Sequence, residues 1–298
     1  MTMPAPLQFA IVVAIWGSTF LAITTQLEPG AAIWSICYRF LIAGLLLSVL
    51  TRLRKETPPQ GLRVHVSLAL FGLFLFSINY IGTYTAEQTV PSGVVAVAFT
   101  LMAVLNPLLA RLVLGQPFTR GLMIGGALAV AGVTLLFWRE VGAFSLADGG
   151  LRGALFALLA VLFAAVGNLF PAMPRLRTLP PFALNATAML YGSAMTGVIA
   201  FVLEGPPPLA HSMSYLLGLG YLAVFGSVIA FSLYAQLLRS MGVGRAAYVN
   251  VLAPVVALLL STLFEGYRWD LAAGAGAILV FIGTAIAIRS RTATVTKG

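Results

Sequence analysis

The sequence predicts an all-α integral membrane protein with ten transmembrane helices, arranged as two inverted-topology five-helix repeats. Of its 298 residues, 60% are hydrophobic and only 8% are charged, against roughly 25% charged residues in an ordinary soluble domain. So few polar side chains cannot cover a water-facing surface, so lipid must be the solvent for most of the exterior. The apolar residues also form ten runs of about 20 residues, the length that crosses a hydrocarbon core of about 30 Å.

Each predicted span is an apolar run bounded by helix breakers or charged residues. No Lys or Arg precedes the first run and no small-residue cleavage pattern follows it, so we interpret it as a retained helix and not as a signal peptide. The connections do not exceed about a dozen residues, which leaves no room for a soluble domain. The predicted spans are 7–25, 31–51, 64–86, 91–114, 121–138, 151–172, 182–203, 214–238, 245–264 and 270–289.

Lys and Arg are distributed unequally between the two sides of the predicted bundle. Thirteen of them lie in loops on one side, whereas only Arg139, Arg152 and Arg268 lie on the other. Because short cytoplasmic loops carry an excess of basic residues, both termini and the 52–63 loop are predicted to be cytoplasmic. The net charge of +9 is therefore interpreted as an orientation signal, and nucleic-acid binding is set aside.

Short sequence similarities between the two halves of the chain favour a duplication. Trp16–Phe20 in the first span and Val166–Phe170 in the sixth lie 150 residues apart and share a Gly and a Phe. Gln116 and Glu265 each precede a Gly/Ala-rich helix. Because five is odd, two duplicated five-helix units must insert with opposite topology. The predicted repeats are residues 1–145 and 146–298.

Three sequence features carry a resemblance to a known family: Trp16–Phe20, Arg39 inside the second helix, and the run from Gly244 through Pro254 to Glu265 ahead of a Gly-rich last helix. With these features the chain resembles the EamA-type transporters of the drug/metabolite transporter superfamily, most of all the YddG-type exporters of aromatic and other amino acids. The resemblance implies ten helices, two inverted repeats, cytoplasmic termini and a central cavity that opens alternately to either side. The first repeat departs from the family pattern, because it has Gln116 where the motif usually has Glu.

Arg39 lies eight residues inside the second predicted helix. A guanidinium at that depth costs at least about 2.5–3.5 kcal/mol unless it faces the bundle interior, water or a partner. It is either a cavity cation that receives a substrate carboxylate, or a pin that hydrogen-bonds carbonyls or a neighbouring helix. The second role is favoured, because structural roles for intramembrane Arg are common.

Aromatic, amide and hydroxyl residues at helical spacing are predicted to line a substrate cavity. Such walls suit a zwitterion with a variable side chain, although each residue is equally open to a packing role between helices. Near helix ends, Tyr215, Tyr267 and Trp269 are predicted instead to be interfacial belt residues. With Arg39, the cavity candidates are Trp16, Ser18, Asn79, Tyr80, Tyr84, Asn168, Tyr234, Tyr248 and Asn250.

Proline and glycine suggest where helices bend and where they pack. Pro107 and Pro254 fall in corresponding helices of the two halves and are predicted to be hinges, because each frees a backbone carbonyl. Glycines spaced by four and seven residues in the fifth and tenth helices are predicted to let a neighbouring backbone approach closely. These glycines are Gly121, Gly125, Gly132, Gly276 and Gly283.

The sequence lacks the residues that several kinds of chemistry require. All eight acidic residues fall in loops or at helix ends, so we predict that transport follows the substrate's own gradient without ion coupling. The single Cys37 cannot form an intramolecular disulfide, and neither Lys55 nor Lys297 lies in a phosphate-binding loop. No cofactor, metal site or catalytic residue is therefore predicted.

These observations predict a secondary transporter of the bacterial inner membrane that exports amino acids or related small metabolites by alternating access. The alternative is an integral-membrane enzyme acting on a lipid-linked substrate, which would require clustered acid/base residues at one membrane face. A channel fits paired helix breakers less well. The expected partners are the small-molecule substrate and the lipid bilayer. The sequence leaves the oligomeric state open between a monomer and a loose dimer.

Overall fold

The computed structural model describes residues 3–26, 31–89, 92–143, 149–208, 212–264 and 269–289. All regular secondary structure in these segments is helical. In chain order we label α1 Ala5–Thr24, α2 Ala32–Leu53, α3 Leu62–Glu87, α4 Ser92–Thr100 with Met102–Leu114, α5 Arg120–Leu136, α6 Gly150–Ala172, α7 Pro181–Glu204, α8 Met213–Ser240, α9 Val243–Ala246 with Tyr248–Phe264, and α10 Leu271–Arg289.

Length and composition identify the segments that are able to cross a membrane. Among the described residues, eight helices are long and apolar enough to do so, namely all except α1 and α5, whose apolar stretches are shorter. The predicted all-helical, multi-pass membrane protein is therefore confirmed. Its exterior matches this setting, because large apolar side chains such as Leu53, Val202 and Leu271 are more than two thirds exposed.

Four helices are less regular than the sequence predicted. The predicted uninterrupted spans of α4 and α9 are broken at Leu101 and at Ala247. A stretch of wider, π-helical turns interrupts α3 at Phe74–Ile78 and α8 at Leu222–Ile229. Pro107 and Pro254 stand inside continuous helix, about two turns after the breaks of α4 and α9. Turn-by-turn irregularity of this kind leaves little trace in hydrophobic periodicity.

Glycine allows the closest helix contacts. α5 packs along α10, and a Cβ placed on Gly132 would lie 2.8 Å from the carbonyl oxygen of Gly276. Gly125 and Gly283 make the matching approach two turns away. The predicted role of these glycines in packing is thus confirmed. α2 packs along α7, and Gly192 of α7 brings α3 into contact in the same way.

Carboxylates cap two helices at their amino-terminal ends. Glu204 accepts hydrogen bonds from the backbone N–H groups of Ile33 (3.0 Å) and Trp34 (3.2 Å) at the start of α2. Asp270, just before α10, accepts from the N–H of Ala273 at 2.8 Å. That hydrogen bond is the first cause that holds the pKa of Asp270 below its usual value. Both contacts stabilise backbone donors that a helix end leaves unpaired.

Candidate functional site

A cavity of about 110 Å³ lies inside the bundle, which is room for several water-sized groups. Its walls come from α1, α2, α3 and α4 of the first half of the chain and from α6, α8 and α9 of the second half. Helices α5, α7 and α10 contribute no lining residue. Eight predicted site or hinge residues line it: Trp16, Arg39, Asn79, Tyr80, Asn168, Tyr234, Asn250 and Pro254.

Arg39 is the cation of this cavity. Its side chain is 2% exposed, and its Nε donates a 2.9 Å hydrogen bond to the hydroxyl of Ser227 in α8. The guanidinium carbon lies 4.9 Å from the ring centre of Tyr80 and 5.2 Å from that of Phe40, within the range of cation–π attraction. Its Nη1 is buried and makes no hydrogen bond of good geometry to a described residue.

The π-helical turns of α8 explain why Arg39 finds a partner in the membrane. Ser227 and Gly226 both lie within that stretch. The Gly226 carbonyl accepts a 3.2 Å hydrogen bond from the indole N–H of Trp16, and the Ser227 hydroxyl accepts from Arg39. A wider turn makes such groups available to side chains, which is one reason why these turns occur at functional sites.

Aromatic rings of α1 and α8 form one wall of the cavity. The ring centres of Trp16 and Tyr234 are 4.8 Å apart, and those of Trp16 and Phe231 are 5.0 Å apart. Phe231 in turn packs at 4.9 Å against Phe76 of α3. These contacts join α1, α3 and α8 across the two halves of the chain. The wall therefore offers ring faces to a ligand while its outer edges hold the helices together.

Four lining residues carry buried polar atoms that make no hydrogen bond of good geometry to a described residue. They include donors as well as acceptors, so a ligand with both kinds of group can satisfy them. Leaving such an atom unpaired costs about 1–3 kcal/mol, and a ligand that bonds to it would recover that cost. The atoms are Arg39 Nη1, Asn79 Oδ1, Asn168 Nδ2 and Tyr234 OH.

Other predicted residues lie outside the cavity. The Tyr248 hydroxyl donates a 3.1 Å hydrogen bond to the carbonyl of Leu122 and links α9 to α5. Ser18 bonds to the carbonyl of Ile15 and to the hydroxyl of Tyr221. Pro107 lines a separate pocket beside Gln116 and Arg245.

Tyr84 is a boundary case. It is 1% exposed and does not line the cavity. Its hydroxyl nevertheless lies close to two charged residues that do, Arg39 and Glu87. Of the two tyrosine candidates Tyr84 and Tyr234, only Tyr234 lines the cavity.

The prediction that Tyr215 is an interfacial belt residue is wrong. Tyr215 is fully buried, and its hydroxyl pairs with Ser35 of α2 at 2.9 Å, so it joins α8 to α2 and does not reach the lipid headgroups. Trp269 is 37% exposed beside the start of α10. Tyr267 and Glu265 lie outside the described residues.

Sequence reasoning missed Glu87 as a site residue. It ends α3 and lines the cavity, so a position at a helix end does not keep this carboxylate out of the cavity, and ion-independent transport stays a prediction. A signal was present, because Asn79, Thr83 and Glu87 are spaced by four and share a helix face. The adjacent stripe through Tyr80, Tyr84 and Gln88 is equally polar, and periodicity alone cannot choose between them.

No described group of three or more His, Cys, Asp or Glu residues is arranged to hold a metal ion. Between the described residues the structure shows one ion pair, Arg139 with Asp270 at 3.0 Å, and neither residue lines the cavity. Arg39 and Glu87 therefore face the same space without pairing.

Comparison with known proteins gives consistent relatives. The chain is 32% identical over 254 residues to the uncharacterized inner membrane transporter YedA of Escherichia coli (strain K12), which covers 83% of this chain and 78% of YedA. It is 23% identical to a probable amino-acid metabolite efflux pump of the same organism, over 92% of this chain and 91% of the pump. An uncharacterized transporter of Archaeoglobus fulgidus is 24% identical over 95% of this chain and 98% of its own length.

A solved crystal structure has the same fold, with a TM-score of 0.78 at 20% sequence identity over 95% of this chain and 96% of its own. The sequence pattern of the EamA-like transporter family matches this chain at residues 3–138 and again at residues 151–289. These two matches cover most of the sequence. The chain belongs to the EamA-like transporter family, a family of membrane transporters.

Proposed function

We propose that the protein is a secondary transporter of the bacterial inner membrane that exports amino acids or similar small metabolites by alternating access, and that it is not an enzyme. The observation that carries the proposal is the cavity lined from both halves of the chain. A site between two halves changes its accessibility when one half rocks against the other. The names of two relatives, an inner membrane transporter and an amino-acid metabolite efflux pump, support the location and the substrate class.

The chemistry of the walls supports a small amphiphilic substrate. Amide and hydroxyl groups of Asn79, Asn168 and Tyr234 offer hydrogen bonds, and Trp16 and Phe231 offer ring faces. Pockets of this composition orient a ligand through a few polar groups and bury the rest of it against apolar surface. An amino acid has both parts.

We propose that the mechanism rests on an inverted duplication whose halves are residues 1–145 and 146–298. π-helical turns interrupt α3 and α8, which would be equivalent helices. Breaks precede the proline in α4 and in α9, which would be the next equivalent pair. The contacts of α1 with α8 and α9 have counterparts in the contacts of α6 with α3 and α4. The family match likewise falls once in each half.

Transport by the purified protein in proteoliposomes tests the proposal. Vesicles preloaded with one amino acid at high concentration should accumulate the same radiolabelled amino acid from outside by counterflow, in a panel that also contains amines, organic acids and sugars. Repeating the assay with imposed pH and sodium gradients shows whether either ion drives accumulation. Absence of counterflow for every amino acid, with counterflow of another class, would overturn the proposed substrate class.

A further inference from the structure

The charges that face the cavity have opposite signs and different depths. Arg39 of α2 and Glu87 of α3 both line it, and no ion pair joins them. Each lies against neutral groups: Arg39 against the rings of Tyr80 and Phe40, and Glu87 one turn beyond Thr83. Two unpaired charges of opposite sign that share a largely apolar space create a strong local field.

The axial offset between Arg39 and Glu87 can be estimated along α3 and, separately, along α2. The Arg39 guanidinium packs on Tyr80, and Glu87 lies seven residues beyond Tyr80 in α3, or about 10 Å along the axis. In α2, Arg39 lies seven residues after Ala32, the first residue of the helix, again about 10 Å deep. Because α2 begins on the side where α3 ends, Glu87 is close to that edge of the bundle and Arg39 is about two turns deeper.

We propose that these residues are the two poles of a zwitterion site, in which Arg39 binds the substrate's carboxylate and Glu87 binds its ammonium group. The ammonium and carboxylate of an α-amino acid are about 3 Å apart. With one hydrogen bond of about 2.8 Å at each end, such a molecule bridges roughly 9 Å, which is close to the two-turn offset of about 10 Å between the two residues along the helix axes. This inference rests on the proposed function and identifies the substrate class of its site.

Neighbouring groups complete the site between the poles. Thr83 lies one turn from Glu87 on the same face of α3 and lines the cavity, and its hydroxyl oxygen is a second acceptor for an ammonium group. The unpaired Nη1 of Arg39 is a donor for the carboxylate. Phe99 and Met102 of α4 supply an apolar wall for the substrate's side chain. The site therefore fits an α-amino acid with an apolar side chain better than a molecule with a single charge.

Counterflow with three matched molecules tests the assignment: L-phenylalanine, 3-phenylpropanoate, which lacks the ammonium group, and 2-phenylethylamine, which lacks the carboxylate. The wild-type protein should prefer phenylalanine to each analogue by at least about tenfold, because each analogue leaves one buried charge unpaired. Glu87→Gln should lose the preference over 3-phenylpropanoate and keep the preference over 2-phenylethylamine. Arg39→Gln should show the reverse.

The controls separate the possible failures. Glu87→Gln is isosteric, so it carries the test if Arg39→Gln does not fold, and Arg39→Lys should then retain the wild-type preferences. Tyr248→Phe, which lies outside the cavity, should retain them as well. If a folded Glu87→Gln variant kept the wild-type preferences for phenylalanine over both analogues, the zwitterion site would be overturned. The proposed function would not be affected, provided that amino acid counterflow is observed. Counterflow of neither phenylalanine nor any other amino acid would refute the proposed function itself.

Discussion

Two tyrosines of similar burial illustrate how a single hydroxyl distinguishes a binding wall from a packing contact. Tyr234 and Tyr248 are 1% and 0% exposed. The Tyr234 hydroxyl faces the cavity beside Asn250 and makes no hydrogen bond of good geometry to a described residue, whereas the Tyr248 hydroxyl is bonded to the Leu122 carbonyl. Exposure and residue type are the same for both, so only the partner tells them apart.

The paired variants Tyr234→Phe and Tyr248→Phe should separate transport from stability. Tyr234→Phe should alter the rate or substrate preference of counterflow and leave the unfolding midpoint unchanged, because no hydrogen bond of good geometry to a described residue is lost. Tyr248→Phe should lower the free energy of unfolding by about 1 kcal/mol through loss of one hydrogen bond, with normal counterflow by the folded fraction. The reverse assignment of effects would contradict the placement of these rings.

At the residue scale, sequence reasoning found the residue types of the site but not their partners. Arg39 was predicted because a charged side chain is costly in lipid, and Trp16, Asn79 and Tyr234 were predicted because aromatic and amide groups at helical spacing suit a cavity wall. Whether Arg39 is a pin or a substrate group was not decided by its cost, and the structure shows both a bond to Ser227 and an unpaired nitrogen. Such details depend on neighbours far away in the chain.

For whole helices, too, the sequence predicts some features and not others. The ten apolar runs and the packing glycines of α5 and α10 are visible in sequence, because membrane thickness fixes run length and close approach requires small residues. The π-helical turns of α3 and α8 were not predicted, since one extra residue per turn barely changes a hydrophobic pattern. The cap on α2 by Glu204 also escaped notice, because its partners are about 170 residues away.

Gly276→Ala and Gly274→Ala form a matched test of the α5–α10 contact. A Cβ on Gly276 would lie 2.6 Å from the Gly132 carbonyl oxygen, whereas a Cβ on Gly274 meets nothing within 4 Å. We expect Gly276→Ala to lower the free energy of unfolding by about 1–3 kcal/mol through overpacking, and Gly274→Ala to be neutral or slightly stabilising. Equal stability of the two variants in detergent would show that this contact is looser than described.

Over the whole molecule, the side of the membrane that each loop occupies follows from charge. Thirteen Lys and Arg residues on one face against three on the other predict cytoplasmic termini and a cytoplasmic loop around Thr57. In a Cys37→Ser background, a cysteine at Gly142 should react with a membrane-impermeant reagent in intact cells, and a cysteine at Thr57 should react only after lysis. Labelling of the Thr57 position in intact cells, without labelling at Gly142, would invert the topology.

We propose that one cavity, shared by the two halves, holds the substrate and opens to each side in turn. Thr83 of α3 and Ala253 of α9 line it from opposite halves, and both are small enough to be replaced by cysteine. Ala129, buried between α5 and α10, is the matched control outside the cavity.

Substrate-protected labelling of Thr83→Cys and Ala253→Cys, each in the Cys37→Ser background, tests this claim most directly. Impermeant thiol reagent should modify both positions from either side of reconstituted membranes, and one counterflow substrate should protect both, while Ala129→Cys stays unreactive throughout. Modification of each position from only one side, or protection of one position without the other, would contradict a shared cavity with alternating access.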